Sequence, residues 1–331
     1  MRDMKRRLLK YDFIWVVLLG VLVGTIGAWI MPQQKNEYTH IGIAVYNMND
    51  TFMREYVEYL QDSIDAYDFS DKKVLCEIFD AENSLKRQEK QLQYMCSQNF
   101  DVLLINLVKQ SSAASILNET AELDVPVILF NRETYAKDLS IADNIWYVGT
   151  DAKTAGAMQG DMTVKAWNEQ KETMDRNGNN KLDYVLVEGE TAHFDAVRRT
   201  NGFLENSQSL PLNQLANLSA EWQRALAYEK FAALDREVIG NVEAVVCNND
   251  EMALGIYDYY ERKGQEPPFI IGINNSLEMN EKTGAGQIYR TVDNGMEEQV
   301  DYICDLLDGI LKGQTEDFEK IWYSKPYVVG Q

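Results

Sequence analysis

The sequence predicts an α/β protein built on two parallel sheets. Three observations carry that expectation. Short β-branched apolar runs alternate with stretches that repeat apolar residues at helical spacing, as when helices cover both faces of a parallel sheet. About ten such runs occur, too many for one small sheet. The chain has 331 residues, enough for about two domains.

In order along the chain, Arg2, Lys5, Arg6, Arg7 and Lys10 make residues 1–10 a basic stub. Residues 13–31, FIWVVLLGVLVGTIGAWIM, then run for 19 residues without a charge, roughly the length that crosses a bilayer. A cleaved signal peptide usually has a shorter apolar region that ends in small residues. Here the run ends Ala28-Trp29-Ile30-Met31-Pro32, a poor cleavage site. The expectation is an uncleaved, single-pass transmembrane anchor over 11–31, with the stub in the cytoplasm. A tether over 32–38 would then lead to a domain that is extracellular or periplasmic.

Strands are expected at 41–46, 73–79, 102–107, 125–130, 146–149, 184–187, 213–218, 244–247 and 269–273. Between them, residues 51–67 keep Met53, Tyr56, Val57, Leu60 and Ile64 on one helical stripe, and 250–263 do the same with Met252, Ala253, Ile256, Tyr257 and Tyr260. Further helices are expected at 83–97, 111–123, 152–170, 196–207, 221–236 and 296–312. The formal net charge is −20, from 52 acids against 32 bases. Such a surface repels phosphate backbones, which argues against nucleic acid as a partner. Cys76, Cys96, Cys247 and Cys304 have no metal-ligand spacing. Two of them fall inside strand-like runs, so buried free thiols are expected, although spacing alone leaves a disulfide open.

Polar residues gather where strands end. The stretch 184–200, YVLVEGETAHFDAVRRT, reads as a buried strand, a turn and a helix start carrying His193, Asp195 and Arg199. Asp195 and Arg199 are four apart and share a helix face. Asp50 follows the first strand, Asn106 the third, Asn249 the run at 244–247, Asn274 the run at 269–273, and Asn294 the run at 288–292. Each has an ordinary reading as a cap or turn residue. Together they sit at the same end of parallel strands, where open α/β sheets bind ligands. Asn both donates to and accepts from hydroxyls, while ionised Asp only accepts. Phe52 and Trp222 could add flat apolar faces; ordinary core packing is the alternative for both. Amides, acids, an arginine and aromatic faces in one place describe a pyranose site.

Several motifs then stand together: IGIAVYNMNDTFM, LLINLV, VPVILFNRE, YVGTDAKTAGAMQGD, EGETAHFDAVRRT and VVCNNDEMALG. On them the chain resembles the periplasmic glucose/galactose-binding proteins of the type I sugar-binding superfamily. The resemblance implies two Rossmann-like lobes, joined by three hinge crossovers, that close over one sugar. It would divide the chain into a first lobe of 39–131 and 295–322 and a second of 132–294 and 323–331. It implies a hexose ligand held by Asp50, Phe52, Asn106, His193, Asp195, Arg199, Trp222, Asn249 and Asn294. Where the family carries an acid after the strand at 269–273, this chain has Asn274, which puts sugar identity in doubt.

The stretch 175–183, DRNGNNKLD, places oxygen side chains at positions one, three, five and nine, as in the front of a calcium loop. Asn180 stands where a loop glycine is usual, and Leu186 at position twelve cannot close the shell. A solvated turn is the plain alternative. The resemblance supplies the missing carboxylate from Glu243 and implies Ca²⁺ held by Asp175, Asn177, Asn179, the Lys181 carbonyl, Asp183 and Glu243.

Three functions compete. A receptor is favoured, passing a monosaccharide to an ABC permease or reporting it to a sensor kinase or chemoreceptor. A glycosidase could use Asp50 and Asp195, but Arg199 beside Asp195 is expected to lower that acid's pKa. A sugar-responsive repressor would carry a helix-turn-helix where this chain has an apolar span.

Overall fold

The computed structural model describes residues 38–69, 72–191 and 193–329, and the described residues from His40 onward belong to one compact unit. The anchor expected at 11–31 lies outside the described residues. Among the described residues no helix is long and apolar enough to cross a membrane.

The first lobe begins β1 (Tyr38–Val45), α1 (Thr51–Ala66), β2 (Lys73–Asp80), α2 (Leu85–Ser97) and β3 (Val102–Ile105). It continues through α3 (Ala113–Glu122), β4 (Val127–Phe130), α4 (Ala136–Leu139) and β5 (Ile145–Thr150). The second lobe runs α5 (Ala152–Met174), β6 (Leu182–Glu188), α6 (Phe194–Asn206), β7 (Leu212–Ser219), α7 (Arg224–Ala232) and α8 (Arg236–Asn241). It goes on through β8 (Ala244–Cys247), α9 (Asp250–Lys263), β9 (Phe269–Ile273), α10 (Leu277–Gly284) and β10 (Arg290–Asp293). The chain then returns to the first lobe with α11 (Met296–Lys312) and β11 (Ile321–Ser324), and ends in the second with β12 (Tyr327–Val328).

The sheet orders are β11-β5-β4-β3-β1-β2 and β12-β10-β9-β8-β6-β7. Apart from its added edge strand, each has the doubly wound 2-1-3-4-5 order. Both faces of each sheet are buried. In β1, Ile41, Ile43 and Val45 join one core while Ala44 joins the core on the opposite face. In β6, Val185 and Val187 face one way and Leu182, Tyr184 and Leu186 the other. Alternation between two buried faces explains why these strands read as continuous apolar runs.

Three segments differ from expectation. The lobe boundary expected at residue 132 falls too early, because β5 pairs with β4 and β11 in the first sheet. The helix expected at 221–236 starts only at Arg224, because Glu221 and Trp222 take left-handed φ values of 51° and 66° and make a turn. The edge strands β11 and β12 were not anticipated. All four cysteines are free, Cys247 and Cys304 buried and the other two partly so.

One polar network ties the three crossovers. Gln299 Nε2 donates to Thr150 Oγ1 at 2.8 Å, to the Asn294 carbonyl at 2.9 Å and to Ser324 Oγ at 3.2 Å. These residues end β5, follow β10 and end β11. The hydroxyl of Ser324 also donates to the Asn294 carbonyl at 2.7 Å. All four residues are buried, so the hinge is held by polar groups that have no water to fall back on.

Candidate functional site

The carboxyl ends of β1, β4, β6, β8 and β9 converge on one cavity of about 40 Å³ between the lobes. Three of its side chains are helix N-caps. Asp50 Oδ1 accepts the Met53 N–H at the start of α1. Asn249 Oδ1 accepts the Met252 N–H at the start of α9. His193 Nδ1 accepts the Asp195 N–H at the start of α6, at 3.2 Å. The capping and binding readings are therefore not rivals. A cap fixes the side chain at the strand end, and the strand end opens on the cleft.

His193 shows what this fixing does. Burial, Arg132 and Arg199 push its pKa down to about 2, so the imidazole is neutral. Since Nδ1 accepts a hydrogen bond, the proton sits on Nε2. Nε2 is buried and has no partner in the protein. Two more buried polar atoms in this wall lack a partner, Asp195 Oδ1 and Arg199 Nε. Two donors and one acceptor are thus unsatisfied together, where most buried polar groups are paired. Burial raises Asp195 to about 6 despite the opposing charge of Arg199. The expectation that Arg199 would leave this acid lowered is corrected: its charge does pull the pKa down, but desolvation outweighs it.

The aromatic walls are positioned as firmly. The Trp222 carbonyl accepts from Asn249 Nδ2 at 3.1 Å. The Trp222 ring meets His193 edge-on at 5.3 Å and lies 5.7 Å from the Arg199 guanidinium carbon. It rests on Gly189, where a Cβ would come within 2.2 Å of the ring. On the opposite wall the guanidinium of Arg132 stacks 3.5 Å above the Tyr46 ring, and the Tyr46 hydroxyl donates to Asp50 Oδ2. Arg199 is anchored by Nη1 donating to the Asn248 carbonyl at 2.6 Å.

Of the sugar-contacting residues expected from sequence, Asp50, Phe52, His193, Asp195, Arg199, Trp222, Asn249 and Asn274 line the cavity. Asn106 and Asn294 do not. The Asn106 amide is fully buried one layer behind, donating to the Phe130 carbonyl and to Asn131 Oδ1 at 3.1 and 3.2 Å. It braces the end of β4, and Asn131 lines the cavity in its place. Asn294 Nδ2 donates to Asn274 Oδ1 at 3.1 Å, so it orients Asn274 from behind. Asn274 itself has φ of 134°. Sequence reasoning missed Tyr46, Met53, Asn131 and Arg132 in the wall. The motif VPVILFNRE contains two of them directly after a strand, which was the available signal.

Ion pairs close the lobes on each other. Arg132 Nη2 donates to Glu190 Oε1 at 2.6 Å, and Arg198 Nη1 pairs with Glu133. The Phe194 N–H donates to Gln110 Oε1 at 3.4 Å, and the Phe194 and Tyr135 rings meet edge-to-face at 4.9 Å.

The loop at 175–183 gathers the expected calcium ligands into one network. Asn177 Nδ2 and Asn179 Nδ2 both donate to Asp183 Oδ2, at 2.7 and 2.9 Å. The Glu243 carboxylate accepts the Asn177 and Asp183 N–H groups. Lys181 contributes its N–H to Asn179 Oδ1, and Asn180 takes the left-handed φ of 60°. Asp175 Oδ1 is buried without a partner. Half-turns of the two Asn amides would present oxygen in place of nitrogen, so the set fits a hard cation in kind. Among the described residues no group of three or more His, Cys, Asp or Glu could hold a metal alone. Amide and carbonyl oxygens would have to complete the shell.

Two doubly wound lobes, joined at three crossovers around a polar cleft, define a periplasmic-type binding protein. The chain belongs to the periplasmic binding protein family: the model of the periplasmic binding protein domain matches residues 41–315. It is 29% identical over 292 residues to the D-galactose/methyl-galactoside binding periplasmic protein of Haemophilus influenzae, covering 87% of this chain and 86% of that one. Among solved structures, the Caulobacter myo-inositol binding protein superposes with a TM-score of 0.74 at 17% identity, covering 91% of this chain and 96% of that one. The fructose binding periplasmic domain of a hybrid two-component system gives 0.73 at 20% identity, covering 88% and 90%.

Proposed function

We propose that this chain is a membrane-anchored receptor that binds a hexose of the glucose/galactose type between its lobes and passes it to an ABC permease. The observation that carries this reading is the trio His193 Nε2–H, Asp195 Oδ1 and Arg199 Nε, all buried, unpartnered and in one wall. A sugar hydroxyl donates and accepts at once, so it satisfies such a set, and the Trp222 and Phe52 rings suit the C–H faces of a pyranose. The Haemophilus influenzae relative is named for galactose and methyl-galactoside, which favours a hexose.

Catalysis is not part of this reading. The relatives reported above are named as binding proteins or domains. Asp50 is occupied on both oxygens by Tyr46 and Met53, which leaves it poorly disposed to act as a nucleophile. Sensing is the second reading of the output, favoured by the fructose-binding domain of a two-component system. In that case the partner is a sensor kinase or chemoreceptor. We also propose that Ca²⁺ binds the loop at 175–183 with Glu243 as a structural ion, supported by the buried unpartnered Asp175 Oδ1. A thermal-shift screen against glucose, galactose, xylose, ribose and myo-inositol tests the receptor reading. A hexose should raise the melting temperature most, and a flat response to all five contradicts it.

A further inference from the structure

Beyond the inner cavity the cleft holds a second, larger chamber of about 290 Å³. Tyr46, Asp50 and Trp222 line both spaces, so the two adjoin across these three side chains. Their chemistry differs. The inner wall carries Arg132, Arg199 and His193. The outer one carries the side-chain amides of Asn47, Asn49, Asn83 and Gln223, with the carboxylates Glu221 and Glu251 and that of Glu190, which is paired with Arg132. Its guanidinium, Arg224, is committed elsewhere: Nε and Nη2 donate to Asp258 at 2.7 and 2.8 Å, and Nη1 donates to Glu278 at 2.6 Å.

The shape of this chamber is held at a cost. Asn83 lies in one bordering turn and Glu221-Trp222 in another, from opposite lobes. Glu82 and Asn83 have φ of 48° and 58°, and Glu221 and Trp222 have 51° and 66°. All four are residues other than glycine in the left-handed region, which L side chains rarely adopt. Backbone held in this way borders ligand sites more often than plain surface.

We infer that the outer chamber is a second subsite for an uncharged sugar residue linked to the ring in the inner cavity, so that neutral disaccharides belong to the ligand class. Amides that donate and accept suit hydroxyls. Carboxylates with no free cation beside them disfavour an anionic residue. The inference rests on the sugar-receptor reading above and extends it from one ring to two.

The test is calorimetric titration of the purified full chain with glucose, galactose, lactose, melibiose and maltose. At least one disaccharide should bind within tenfold of its constituent hexose. The aldobiouronic acid that keeps both rings and carries a carboxylate at C6 of one residue should bind at least tenfold more weakly. Gln223→Trp and Asn49→Trp, both at exposed positions, fill the chamber from opposite walls. Each should weaken the disaccharide at least tenfold and leave the hexose within twofold. Hexose binding without binding of any disaccharide overturns the inference, as does an equal effect of the two variants on both ligands. If no sugar binds, the receptor reading itself fails and takes this inference with it.

Discussion

Arg132 and Glu190 lie 58 residues apart and on opposite lobes, yet Arg132 Nη2 reaches Glu190 Oε1 at 2.6 Å. The neighbouring Glu133 pairs with Arg198 in the reverse sense, acid on the first lobe and base on the second. Two adjacent residues of opposite charge thus meet two of complementary charge across the cleft. Arg198→Ala leaves Glu133, 8% exposed, without its cation. Because Arg198 is itself 39% exposed, the loss should be modest, about tenfold in ligand affinity, mostly as faster release. Stopped-flow dissociation measures it; an unchanged off-rate would mean that the pair does not hold the closed form.

Binding should depend on pH through Asp195. Its carboxyl is raised to about 6 by burial, and it accepts a ligand hydroxyl best when ionised. Affinity should therefore be full above about pH 7 and fall as pH drops through 6, by at most about tenfold per unit. His193, held at about 2, stays neutral across that range and adds no slope. For folding the sign is reversed. A raised acid stabilises the native state below its unfolded pKa of about 4, and that stabilisation is lost as pH rises to the folded value. Titrations from pH 5 to 8 with wild type and Asp195→Asn check the binding slope, which the variant should abolish.

Gly189→Ala tests the seat of Trp222. The added Cβ would meet the ring at 2.2 Å, and overpacking of this kind costs about 1–3 kcal/mol. Sugar affinity should fall and tryptophan fluorescence should shift. Wild-type affinity in a folded variant would show that the ring does not form the wall.

Gln299→Leu removes the donor that joins Thr150, Asn294 and Ser324. The Asn294 carbonyl keeps the Ser324 hydroxyl, but the buried Tyr56 hydroxyl loses its acceptor on Gln299. A buried polar group left unmatched costs about 1–3 kcal/mol, so thermal unfolding should occur at a lower temperature. An unchanged melting temperature would show that the crossovers hold without this network.

Calcium should raise the melting temperature of the full chain and a chelator should lower it. Asp175→Ala should remove the difference. Identical melting with calcium and with chelator would count the loop as a plain turn.

Much of this site was legible because the strand ends are. A buried run such as 244–247 followed by Asn248-Asn249-Asp250 marks a carboxyl end by sequence alone. What could not be read was depth. Asn106 and Asn131 both follow buried strands, and only the packing of β3 beside β4 decides which faces the cleft. The balance at Asp195 was equally hidden, because spacing reveals the neighbouring charge of Arg199 but not the burial that overrides it. The first lobe boundary was misplaced for a related reason. The end of β4 looks like a crossover until β5 is seen to pair beside it.

Calorimetric titration of the full chain with galactose and glucose tests the central claim most directly. One site per chain with micromolar or tighter affinity, lost in Arg199→Ala, is the predicted result. No heat of binding with either hexose, from protein that melts cooperatively, would contradict it.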